Sequence, residues 1–150
     1  MDYLWATTSG NSNAEYDRRI YSICTRDWST FTPARPFFDP GFLAIDSTIL
    51  KVGRRWQMVF KDEQNMPLVK KLRLAWAPFP KSPWSDVTKP FTEAWVKGPT
   101  VLKIGQWGWL YLDHYTKPQH YSTMRTRDWV RFGYHGDSPS CRRPAPWNGD

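Results

Sequence analysis

Asp46 and Lys97 are the residues whose types and spacing most invite chemistry, because each sits near the head of one of two copies of a single pattern. The copies are Phe42-Leu-Ala-Ile-Asp46-Ser-Thr-Ile-Leu-Lys-Val-Gly53 and Trp95-Val-Lys97-Gly-Pro-Thr-Val-Leu-Lys-Ile-Gly105. A carboxylate and an ammonium at matching places in neighbouring units are expected to meet as an ion pair, which favours the charged lysine and raises its pKa. A lysine held that way donates a proton poorly at neutral pH. Asp62, Glu63 and Asp113 fall at the ends of the strands that follow, and Glu93 lies just before the second copy. Each reads first as a solvated turn residue. His114 and His120 flank Tyr115 and Tyr121 across a turn, a spacing that matches no strong ligand pattern. Hydrogen bonding or a plain loop is expected there, and no metal.

The elements that must position these residues are short strands. In each copy a polar residue leads into an apolar strand, a glycine turn (Gly53, Gly105) and an aromatic strand (Trp56–Phe60, Trp109–Leu112). A second marker keeps the same period. Ile23-Cys-Thr-Arg-Asp27-Trp-Ser-Thr-Phe31 returns as Met124-Arg-Thr-Arg-Asp128-Trp-Val-Arg-Phe132, with Arg73-Leu-Ala-Trp-Ala-Pro and Ser82-Pro-Trp84 between them. A repeat of about fifty residues built from strands is the sign of a β-propeller, whose chemistry lies at the mouths of the innermost strands. Period-two alternation with β-branched and aromatic content predicts strands over 3–8, 19–25, 47–52, 56–61, 71–76, 100–104, 107–113 and 120–126. Turns are expected at 9–14, 53–54, 62–67, 105–108 and 116–119, where Gly, Asn, Asp and Pro gather. No segment holds a helical period.

The fold class expected is therefore all-β: a partial propeller of about two to three four-stranded blades over residues 1–132, followed by an irregular tail at 133–150. Propellers close with roughly four to eight blades. An open arc exposes strand edges, so completion by self-association into a homo-oligomer is expected. Asp27 and Asp128 recur beside Trp at one blade position and read as turn formers, as does Asp39 in Asp-Pro-Gly. Trp28, Trp84 and Trp129, recurring at the blade period, read as blade core.

Composition sets further bounds. The 150-residue chain is 17% aromatic with ten Trp, thirteen Pro and nine Gly, which suits a loop-dense β protein. No window of 18 apolar residues is present, so no membrane span is expected. No basic flank leads into an apolar run, and the compartment stays unknown. The net charge of +7 is spread over basic pairs in separate turns (Arg18-Arg19, Arg54-Arg55, Lys70-Lys71, Arg142-Arg143), so no nucleic-acid partner is expected. Cys24 lies in a strand pattern and reads as a buried free thiol in preference to a disulfide with Cys141.

Four segments carry a resemblance. Phe37-Phe-Asp-Pro-Gly-Phe-Leu-Ala-Ile-Asp46-Ser-Thr-Ile, Met58-Val-Phe-Lys-Asp-Glu63, Trp95-Val-Lys-Gly-Pro-Thr100 and Tyr111-Leu-Asp-His-Tyr115 together resemble the middle of a glycoside hydrolase family 43 five-bladed propeller of the arabinofuranosidase and xylosidase type. The resemblance spans residues 3–132. It implies inverting hydrolysis by an Asp base, a pKa-tuning Asp and a Glu acid directly before Gly-Pro, with roughly 6.5–9.5 Å between acid and base to admit water. Asp46 matches the tuning Asp, Lys97 stands where the acid Glu belongs, and the base Asp and the His of the last blade have no counterpart here. The resemblance thus implies a carbohydrate partner: a small plant-type or aryl glycoside (arabinofuranoside, xyloside or galactoside) handled by a carboxylate site rebuilt around Asp46. Glu63 and Asp113 are its candidate catalytic partners, and Lys97, Trp95 and His114 its substrate-binding residues. Trp95 is placed at a surface that stacks on a sugar ring. The alternative is a non-catalytic carbohydrate-binding or inert propeller remnant. No cofactor is required, though some relatives leave room for a structural Ca²⁺ in the channel.

Overall fold

The computed structural model describes residues 3–9, as backbone, and residues 18–135. The expected turn at 9–14, Cys141 and the chain beyond His135 lie outside the described residues. Among the described residues ten strands form: β1 (Tyr3–Ser9), β2 (Arg19–Thr25), β3 (Arg35–Phe38), β4 (Ala44–Val52), β5 (Arg55–Asp62), β6 (Lys71–Ala77), β7 (Val96–Ile104), β8 (Trp107–His114), β9 (His120–Thr126) and β10 (Gly133–Tyr134). They pair antiparallel into three sheets, β1-β2-β3, β4-β5-β6 and β7-β8-β9-β10. These are three blades of a partial propeller, with β4 and β7 side by side as inner strands.

Blade three has the expected four strands, and among the described residues the other two blades have three each. In the second blade the fourth strand is replaced by a chain segment that keeps the ladder going with threonine. Ser85 exchanges both backbone bonds with Trp76 at 2.8 Å, and Thr88 N–H donates to Leu74 O at 3.0 Å. The hydroxyls of Thr88 and Thr92 accept from Leu74 N–H and Leu72 N–H, each at 3.0 Å. Pro90, which has no N–H, sits harmlessly between them. In the first blade, the Thr25-Arg-Asp27-Trp28 turn closes β2 as Thr126-Arg-Asp128-Trp129 closes β9, the third strand of its sheet. So β1 corresponds to β8, and no described strand fills the inner position of that blade.

The cores lie between blades. Ile20 and Phe38 of blade one pack with Ala44, Met58, Phe60 and Ala75 of blade two. Val59, Leu72 and Leu74 pack with Val96, Val101, Leu110, Leu112 and Met124 of blade three. A sandwiched blade must be apolar on both faces, and Met58-Val59-Phe60 are all 0% exposed.

The expected turn-forming role of the two aspartates is seen in detail. Asp27 Oδ1 accepts the N–H groups of Ser29 and Thr30 at 2.9 and 2.8 Å. Asp128 Oδ1 does the same for Val130 and Arg131 at 2.9 and 2.8 Å. These bonds favour the ionised form and hold both carboxyls below the usual carboxylate range. Their tryptophans part company. Trp129 lies on Gly108, where a Cβ would come within 2.7 Å of its ring. Trp28, read as core, is 61% exposed; the register puts Tyr3 opposite Thr25, where Gly108 stands opposite Thr126. Trp84 is half-buried, edge-on to Phe37. Gly133-Tyr134, expected within the irregular tail, pair with Arg125 and Met124 as a short outer strand.

Candidate functional site

The two repeat copies fold into the same device. In β4 the ladder slips between Ile45 and Thr48, and in β7 between Lys97 and Thr100. Each bulge carries one left-handed residue, Asp46 at φ 48° and Gly98 at φ 57°. Aspartate tolerates this region because its short polar side chain can bond locally, and glycine because it has no Cβ. The structural counterpart of Asp46 is therefore Gly98, and that of Lys97 is Ile45.

This register decides the contacts. Asp46 Oδ2 accepts the Gly98 N–H at 3.2 Å across the blade boundary, and the Thr48 hydroxyl donates to the Pro99 carbonyl beside it. Lys97 does not pair with Asp46, as the sequence led us to expect. It stands directly opposite Asp113 on β8 and reaches Asp113 Oδ2 at 3.6 Å. Asp46, Ser47, Thr48, Lys97, Gly98, Pro99, Thr100 and Asp113 line one open cleft of about 460 Å³ at the head of the inner strands. The Lys97 side chain is 47% exposed and that of Asp113 27%, so both are available to a ligand.

Glu63, the other candidate carboxylate, is elsewhere. Its carboxylate meets Lys61 Nζ at 2.6 Å, Lys70 Nζ at 2.7 Å and Arg18 at 3.2 Å. Burial pushes its pKa up, but the hydrogen bonds from Lys61 and Lys70 outweigh that and hold it below the ordinary 4.5. A carboxyl so ionised has no proton to give at neutral pH. Asp62 is fully buried against Arg73 at 2.7 Å. Both residues anchor blade two.

Trp95 and His114 line a second cleft of about 590 Å³, with Glu93, Lys117, His120 and Tyr134. His114 is buried and stacks on His120 with ring centroids 4.2 Å apart. Burial first, then His120, lower its pKa from 6.5, against the opposing pull of Glu93 and Asp113. The ring is neutral at pH 7. Tyr134 donates to Glu93 at 2.9 Å, and Trp95 is partly exposed at φ 69°.

Tyr115 joins the two clefts, a role no sequence signal announced. Trp95 packs edge-on to its ring at 6.0 Å. Lys61 and Lys97 lie over that ring at 4.4 and 5.3 Å, and Lys61 also donates to its hydroxyl at 3.2 Å. The ring face attracts both ammonium groups. Among the described residues no three of His, Cys, Asp or Glu gather as a metal-ligand set, and no helix is long and apolar enough to cross a membrane.

Comparison with known proteins bears on this geometry. A family model described as "Probable glycosyl hydrolase domain", related to glycoside hydrolase family 43, matches residues 3–145. No curated protein matches the sequence. Among solved structures, Bacteroides ovatus xyloglucan PUL GH43B aligns at TM-score 0.66 and 11% identity, over 92% of this chain and 27% of that one. An endo-1,4-beta-xylanase from Bacteroides thetaiotaomicron aligns at TM-score 0.67 and 12% identity, over 88% and 46%. The GH93 alpha-L-arabinofuranosidase of Fusarium graminearum aligns at 0.65 and 15%, over 89% and 44%. These likenesses show a shared fold, and the chain spans less than half the length of each. With the matched family extending over nearly the whole sequence, the chain belongs to the glycosyl hydrolase domain family related to glycoside hydrolase family 43.

Proposed function

We propose that the Asp46 cleft is the sugar-binding centre of a glycoside hydrolase acting on small plant-type or aryl glycosides: an arabinofuranoside, a xyloside or a galactoside. One observation carries this reading. The inner strands β4 and β7 of two blades, with β8 beside β7, bring Asp46, Lys97 and Asp113 to one solvent-open cleft on a glycosyl hydrolase family fold. Asp46 is fixed by the Gly98 N–H and can still accept from a sugar hydroxyl through its other oxygen. Lys97 donates to hydroxyls, and Asp113, which it orients, is the carboxylate placed to exchange a proton at the cleft. Trp95 and His114 serve the neighbouring cleft, where an aglycone or second sugar unit would extend.

A second reading, carbohydrate binding without hydrolysis, is favoured by Lys97, which occupies the place directly before Gly98-Pro99 where the family resemblance puts an acid Glu. One experiment separates them. Purified protein is assayed on aryl α-arabinofuranosides, β-xylosides and β-galactosides, with Asp46→Asn alongside and titration calorimetry on the matching oligosaccharides. Turnover that Asp46→Asn abolishes supports hydrolysis. Binding without turnover, lost in the same variant, supports recognition alone. Activity or binding indifferent to Asp46 refutes both.

A further inference from the structure

The strongest unexplained feature lies at the other end of blade three. Trp107 opens β8 and Asp113 nearly ends it, six residues apart and so about 20 Å at the usual strand rise. At the Trp107 end, the guanidinium groups of Arg125 and Arg127 lie over the indole at 4.4 and 4.2 Å from the ring centroid. With Arg131, Thr126 and Asp128 they line an open cleft of about 340 Å³. Among the described residues neither Arg125 nor Arg127 has a carboxylate partner. Stacking on an aromatic face fixes a guanidinium plane while leaving its N–H edge outward, so little rotamer freedom remains to be lost when an anion arrives.

The one carboxylate present does not cancel this charge. Asp128 Oδ1 accepts from the Thr126 hydroxyl and from the N–H groups of Val130 and Arg131. Three guanidinium groups therefore face one carboxylate that is committed to its turn.

We infer that the Trp107–Arg125–Arg127 cleft binds the carboxylate of a uronic-acid unit in an acidic polysaccharide, at a site separate from the Asp46 cleft. The fork of an arginine matches a planar carboxylate with two parallel bonds. An arginine fork binds phosphate as well, but a phosphate cradle adds clustered backbone N–H groups. Here those of Trp129, Val130 and Arg131 are spent on Thr126 and Asp128. An acidic main chain held here would keep its neutral side branches near the protein, which goes beyond the activity proposed above.

The test is titration calorimetry of the full chain with oligogalacturonate, with a neutral xylo-oligosaccharide of equal length, and with a short single-stranded DNA. Oligogalacturonate binding that weakens with salt, falls about tenfold in Arg127→Ala, and is untouched by Asp46→Asn is the expected result. Arg127→Lys keeps the charge but loses the fork and is expected to weaken binding similarly. Arg127 is exposed, so its variants report on the site even if Arg125→Ala fails to fold. No oligogalacturonate binding, equal binding of the neutral oligomer, tighter binding of the DNA, or indifference to Arg127 would each overturn the inference.

Discussion

Replacing Glu63 with alanine should unfold the protein far more readily without touching the Asp46 cleft. The Lys61 and Lys70 side chains are 3% and 7% exposed, and each is within 2.7 Å of the Glu63 carboxylate. Removing the one anion leaves two ammonium groups buried without a counter-charge, and breaking a buried pair costs about 3–5 kcal/mol. Lys61 keeps the Tyr115 hydroxyl at 3.2 Å and Lys70 keeps the residue-63 carbonyl at 3.0 Å. These bonds place the loss at the low end, ~3 kcal/mol. With a urea slope of about 2 kcal/mol per M, the unfolding midpoint should fall by roughly 1.5 M. The pH dependence has a definite sign. The folded-state pKa of Glu63 is lowered below 4.5, so its stabilisation is fully present above that pH and is lost as pH falls through the folded value. Glu63→Gln should lose that acid limb as well as the midpoint. A midpoint shift under about 0.5 M would refute the counter-ion argument. So would a variant that unfolds like wild type but loses whatever turnover of aryl glycosides the wild type shows, which would return Glu63 to the catalytic set.

Gly108→Ala should destabilise by about 1–3 kcal/mol, because a Cβ there meets the rigid Trp129 ring at 2.7 Å; an unchanged melting temperature would show that the ring shifts freely. His114 gives a second pH effect at a higher window. Its pKa is lowered from 6.5, so the unfolded chain binds the proton first and stability should decline as pH drops below about 6.5. Melting temperatures between pH 8 and 5 should show that slope in wild type and a flatter line in His114→Gln; identical slopes would discount it. Self-association is expected through the outward face of blade three, where Leu102 and Ile104 are 49% and 52% exposed. Light scattering should give at least a dimer that Leu102→Lys with Ile104→Lys returns to monomer, and a monomeric wild type would refute it.

Sequence patterning reached the strands closely but cut two of them short. The expected starts at Ser47 and Thr100 come out at Ala44 and Val96, because Asp46 and Gly98-Pro99 look like strand breakers. In the fold they are bulge residues, and a bulge lets the ladder resume on its far side. β3 went unread because Pro36 lies within it, and a proline is tolerated in an edge strand that sequence cannot tell from a loop.

The sequence by itself determined the blade period, the matching turns at Thr25–Trp28 and Thr126–Trp129, and the presence of a special residue at Asp46. Such features are local: they rest on alternation, turn chemistry and repetition along the chain. Only the tertiary structure decided which charges meet. A one-residue difference in register moves a side chain to the other face of its sheet. The bulges therefore gave Lys97 to Asp113 and Asp46 to the Gly98 amide. Glu63 was drawn into the Lys61–Lys70 anchor, while Trp95 and His114 were set in a cleft of their own. The Asp46–Gly98 contact crosses a blade boundary, and the nearer pairs are chosen by ladder register and burial; no local pattern encodes either.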